Sequence, residues 1–233
     1  MEIRERINLF KIVIVIIFAG QLLVLPSCEN ATNSTRDLTV EMLQIDPLFI
    51  SFADAYVSYV EPTLMKTWSS EMVVELEQKA EFLEESESAD PQVLEEILHL
   101  MGYSDIREFK ELQTNLIKSI KNMEMRYPGL NFDRPDNRKN QMVISELEKY
   151  IDINHPNLFR NTNSLDSSVR YKCKDGAGLK ECLSDVRRAY LYRTAACGAG
   201  ALFSANIFVG AGCQAVNILW HESEKRDCLD DNC

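Results

Sequence analysis

The chain has 233 residues, 45% of them hydrophobic and 26% charged, with a formal net charge of −11 at pH 7. It is too apolar for a disordered protein, and 9 Gly and 7 Pro are too few for a fibrous one. The acidic excess argues against nucleic acid as a partner, because such binders need a basic face.

Arg4, Arg6 and Lys11 precede or open an apolar run from Ile12 to Leu25, interrupted by Gly20 and Gln21. A basic head followed by a short apolar stretch predicts a secretory signal over residues 1–27. Leu25, Pro26, Ser27 and Cys28 follow. This tetrapeptide resembles the lipobox of bacterial lipoproteins, with Pro26 standing where a small or branched residue is usual. The resemblance, which extends in general character to lipoproteins of Bacteroidota, implies lipidation of Cys28. It also implies a cell-envelope location, with the protein anchored to the outer membrane and facing the periplasm or the surface. Each buried acyl methylene contributes about 0.8 kcal/mol, and two or more chains make a stable tether. Residues 28–37 are polar and small and read as the flexible lipidated tether.

Helical spacing dominates from there on, with no sustained alternation to suggest strands. Asp46-Pro47 predicts a helix start, followed by Leu48, Phe49, Phe52, Ala53, Tyr56, Val57 and Val60 at helical spacing, with Pro62 ending or interrupting it. Ser70 is the expected cap of the next helix, and Asp90-Pro91 of a third that Gly102 closes. Ser104 opens the longest pattern, which Pro128-Gly129 stops, and a shorter helix covers 140–151. Short connections predict an antiparallel bundle over 38–152. Ten acidic residues and one basic residue, Lys79, lie between Glu71 and Glu96, a pattern that reads as a solvated face.

Residues 153–172 read as a polar linker to a module at 173–233 that holds six cysteines, an even number suited to three disulfides in an exported domain. Cys182 and Cys228 are equidistant from a fold point near Ala205, as are Cys197 and Cys213. Each fifteen-residue interval spans roughly 22 Å of helix and places its two cysteines on one side. The expectation is a nested helical hairpin bridged Cys182–Cys228, Cys197–Cys213 and Cys173–Cys233. The fold class predicted for the whole is all-α: a small helical bundle followed by a disulfide-stapled antiparallel hairpin.

Residues 194–220 contain no charge, and Gly198, Gly200, Gly210 and Gly212 flank an apolar centre. The expectation is two hairpin helices packed closely on each other through these small residues. Leu202, Phe203, Ile207 and Phe208 form the apolar contact patch if the tip is exposed. No Cys-x-x-Cys, nucleophile elbow, phosphate loop or dinucleotide fingerprint occurs, so no catalytic residue, metal or cofactor is assigned. His221 and Glu224 have the spacing of a metal pair, but Lys225 stands where a metalloprotease helix has its second histidine. The sequence favours a non-enzymatic binding or envelope-interaction module with a protein or glycan partner. The alternatives are a membrane-inserting, toxin-like effector using residues 194–220, and a hydrolase with unrecognised carboxylates.

Overall fold

The structure, a computed structural model, describes residues 38–85, 90–132, 137–159, 176–204 and 207–232, with the backbone alone for 83–85 and 201–204. The described residues form eight α-helices and no strand. The helices are α1 (Val40–Ile45), α2 (Pro47–Leu64), α3 (Ser70–Glu85), α4 (Pro91–Met101), α5 (Ile106–Arg126), α6 (Arg138–Asn154), α7 (Gly176–Ser204) and α8 (Ile207–Asn232). The predicted signal, tether, Cys28, Cys173 and Cys233 lie outside the described residues, as do the side chains of Leu202 and Phe203.

Local side-chain chemistry sets the helix starts. One carboxylate oxygen of Asp46 accepts the Leu48 N–H at 2.8 Å, and the other accepts the Tyr127 hydroxyl from the far end of α5. Asp90 caps α4 in the same way, through the Gln92 N–H at 2.9 Å. Three details differ from the sequence expectation. Ser69, rather than Ser70, caps α3. Asp105, rather than Ser104, caps α5, while Glu108 reaches back to the Ser104 N–H and hydroxyl at 2.5 and 2.7 Å. Helix α2 also continues past Pro62 to Leu64. In the last turn the missing Pro62 N–H forfeits one bond to a helix that is about to end, so the usual penalty for an interior proline is reduced.

Helices α7 and α8 run antiparallel along their length, stapled by Cys182–Cys228 and Cys197–Cys213, each with Cα atoms 5.8 Å apart. Residues 35–233 form one compact unit, and the hairpin is part of the bundle's core. Helix α5 packs between α2 and α7, α3 lies along α8, and α6 contacts α1, α2 and α7. Tyr56 on α2 donates its hydroxyl to the Leu191 carbonyl of α7 at 2.8 Å, deep in the core. The chain stays with the core beyond the bundle boundary expected at 152: α6 runs to Asn154, and Leu158 and Phe159 are buried.

The small residues of the hairpin serve a different contact from the one expected. A Cβ on Gly198 would sit 2.7 Å from Ile120 Cδ1, and one on Gly210 1.6 Å from Gln113 Nε2, both on α5. These glycines therefore seat the hairpin on the bundle rather than one hairpin helix on the other. The uncharged stretch follows the same logic. Ala195, Ala199, Ala211, Ala215 and Ile218 lie in the core, and Ile207 and Phe208 are half-buried against it. Among the described residues no helix is long and apolar enough to cross a membrane.

Gly102 ends α4 at φ +100°, and a Cβ there would meet the Pro62 carbonyl oxygen at 2.3 Å. Gly129 has φ +85°, but its nearest neighbour would be Lys139 Nζ at 3.6 Å. Gly129→Ala should therefore cost only the left-handed backbone term, about 1 kcal/mol, and Gly102→Ala a further ~1–3 kcal/mol for overpacking. Urea unfolding of the two variants checks this order, and equal losses would contradict it. Removing each disulfide by a paired Cys→Ala change should cost about 3 kcal/mol for Cys197–Cys213 and about 4 kcal/mol for the longer Cys182–Cys228 loop. The same unfolding measurement reads both.

Candidate ligand cleft at His221

The uncharged centre of the hairpin is not wholly apolar. Asn217 Nδ2 donates to Thr194 Oγ1 at 2.7 Å and to the Tyr190 carbonyl at 3.3 Å. Gln214 Nε2 donates to the Tyr190 hydroxyl at 2.9 Å. At the edge of this group Arg193 gives its Nε to Asn217 Oδ1 at 2.8 Å and its two terminal nitrogens to Glu224 at 2.8 and 2.7 Å. A planar guanidinium holding a carboxylate with two parallel bonds is a strong and directional pairing. It also answers the question raised by the His221/Glu224 spacing: Glu224 is committed to Arg193 and does not join His221. Among the described residues no group of three His, Cys, Asp or Glu side chains is arranged to hold a metal ion.

His221 lies on α8 with its ring centroid 4.8 Å from that of Tyr190. It is 4% exposed, and apart from a weak contact with the Val186 carbonyl its ring nitrogens have no hydrogen-bond partner among the described residues. Burial, reinforced by the positive charges of Lys225 and Arg193, pushes its pKa down to about 3, while the Val186 carbonyl pulls weakly the other way. At neutral pH the imidazole is uncharged and offers one N–H donor and one bare acceptor. One turn on, Lys225 is 7% exposed and bonds both carboxylate oxygens of Glu222, at 2.9 and 3.1 Å.

His221 and Lys225 form one wall of a cleft of about 430 Å³. The first three turns of α7 supply Leu179, Lys180, Leu183, Ser184 and Arg187, and the opposite side comes from Glu148 and Asp152 on α6 with Phe159 just beyond it. Arg187 ties the two sides together. Its Nη2 contacts Asp152 at 2.7 Å and the Glu148 carbonyl at 3.3 Å, and its guanidinium sits 4.2 Å above the Phe159 ring. Its buried Nε is 3.9 Å from Glu148 Oε1 and makes no hydrogen bond among the described residues. The cleft therefore combines internally paired charges, an apolar side and two buried groups with unmet hydrogen-bonding capacity.

Of the residues singled out from the sequence, the Cys182–Cys228 bridge borders this cleft, one position from Leu183 and three from Lys225. Cys197–Cys213 lies nearer the hairpin tip. Ile207 and Phe208 are at the tip and outside the cleft. Sequence reasoning noted His221 but not the residues around it. The signal available was the fold point near Ala205, which sets Arg193 opposite Asn217 as it sets Cys197 opposite Cys213. No protein-family model, curated protein or solved structure matches the chain.

Between about pH 6.5 and 3 the folded protein keeps His221 neutral, whereas the unfolded chain protonates it. The unfolded state then binds more protons, so stability falls as pH falls through that window, by up to about 1.4 kcal/mol per pH unit from this group. His221→Phe removes the effect. Denaturant unfolding at pH 7, 6, 5 and 4 should show the stability difference between the protein and this variant moving against the native histidine as pH drops. A pH-independent difference would mean that His221 titrates in the fold as it does in the unfolded chain.

Proposed function

We propose that this chain is an exported, lipid-anchored binding module of the bacterial cell envelope, tethered through Cys28 and offering the His221 cleft to a ligand without catalysing a reaction on it. The observation that carries the binding role is the cleft itself. A concave site of about 430 Å³ with an apolar side and a few converging polar groups has the size and make-up of a small-ligand site. A histidine held neutral to about pH 3 is far from the range in which it would shuttle protons near neutrality. Its place in the wall suits a fixed hydrogen-bonding role.

The envelope location draws support from the two disulfides, which oxidising compartments maintain. The lipobox resemblance at residues 25–28 supports the anchor. Burial of Ala195, Ala199, Ala211, Ala215 and Ile218 in the core favours a lipid tether over an inserted helix as the link to the membrane.

The anchor is tested by fractionating bacteria that express the full chain and mapping its peptides by mass spectrometry. Cys28 should carry lipid, and Cys28→Ala should shift the protein from the membrane to the soluble fraction. An unmodified Cys28 in membrane-bound protein would overturn the tether. A hydrolytic activity of the purified protein that disappears in His221→Phe would overturn the non-enzymatic role.

A further inference from the structure

Apart from the exposed Lys180, the charged side chains around the cleft already have partners. Arg187 joins Glu148 and Asp152 across it, and Lys225 is held by Glu222. A charged ligand would have to compete with these pairs. Taking one partner from a buried pair leaves an uncompensated charge, which is strongly unfavourable. The unmet capacity lies elsewhere, in the ring nitrogens of His221 and the Nε of Arg187, all of them buried in residues that line the cleft, so a ligand reaches them only as these side chains shift toward it. A neutral imidazole presents one donor and one acceptor, and the guanidinium Nε always donates. A carboxylate only accepts and an ammonium only donates, whereas a hydroxyl does both and meets either tautomer of the histidine. The carboxylates of Glu148, paired with Arg188 and more loosely with Arg187, and of Asp152, paired with Arg187, retain free lone pairs and accept further hydroxyl donors without giving up those pairs. Leu179 and Leu183 supply an apolar strip beside these groups. A ligand with hydroxyls on its rim and C–H groups on one face matches both.

We propose that the His221 cleft binds an uncharged sugar, a mono- or disaccharide unit with its hydroxyls toward His221 and the Arg187 group and its apolar face on Leu179 and Leu183. The proposal rests on the binding role above and names its ligand class. The cleft volume of about 430 Å³ is in the range of roughly 300–1,000 Å³ usual for small-ligand sites.

The test uses the intact, oxidised protein labelled with ¹⁵N, titrated at pH 7 with glucose, N-acetylglucosamine and their disaccharides, and in parallel with glucuronate and glucosamine. At least one uncharged sugar should move the His221 ring signals saturably, with a dissociation constant on the order of millimolar or better. The matched charged sugars should bind roughly tenfold or more weakly, and His221→Phe should weaken the uncharged sugar by at least about tenfold. The wild-type titration needs no variant, so a folding defect in His221→Phe does not remove the test. Tighter binding of glucuronate or glucosamine would overturn the sugar assignment while leaving a binding module in place. Silence of the His221 signals with every sugar would overturn it as well. Turnover of any of these sugars would instead strike at the non-enzymatic role on which it rests.

Discussion

The hairpin reaches α5 because two side chains are missing. With any Cβ at Gly198 or Gly210, Ile120 or Gln113 would have to move, and both lie on the helix at the centre of the bundle. Close seating brings the α7 backbone within reach of the Tyr56 hydroxyl, which bonds the Leu191 carbonyl and locks α2 to α7. That contact buries Tyr190 next to it, and Tyr190 in turn supports Gln214, Asn217 and the ring of His221. The wall of the cleft is thus the far end of a chain of contacts that begins with two absent methyl groups.

Inside the hairpin the polar groups show why this arrangement is specific. A buried amide without partners costs on the order of 1–3 kcal/mol. Asn217 has a partner for its oxygen and two for its nitrogen, and each of the three guanidinium nitrogens of Arg193 has one. Sliding one helix along the other by a single turn would break all of these bonds and separate the disulfide partners, so register is set twice, covalently and by hydrogen bonds. Against this background two side chains on α8 keep unmet hydrogen-bonding capacity, Gln214 through its Oε1 and His221 through its ring, and of the two only His221 lines the cleft.

Much of the helical order was legible in the residues. Asp46-Pro47, Asp90-Pro91 and Gly102 mark helix ends by local chemistry that needs no tertiary context, and each acts as expected. The two described disulfides were legible because a hairpin is a local object, with its partners symmetric about one turn. Helix α1 was not, since six residues are too few for a periodic signal. The glycines announced a close approach without naming the neighbour, and α5 proved to be that neighbour. The cleft was out of reach for a similar reason. Glu148, Asp152 and Phe159 meet His221 only through the packing of α6 on α7, a long-range contact that no spacing in the chain encodes.

The place of the hairpin in the core has a consequence for how the protein is made. Residues buried on α3 and α5, among them Leu76, Leu116 and Ile120, belong to a core completed by α7 and α8. A chain delivered from its N-terminus presents α1 to α6 before the helices that cover them exist. Until the last third arrives, the bundle carries an open apolar seam, the kind of surface on which incomplete chains aggregate. Folding is therefore a closing step that waits for the C-terminal residues, Cys228 of the Cys182–Cys228 bridge among them. A nascent chain arrested at residue 160 would be a substrate for chaperones rather than a smaller folded domain.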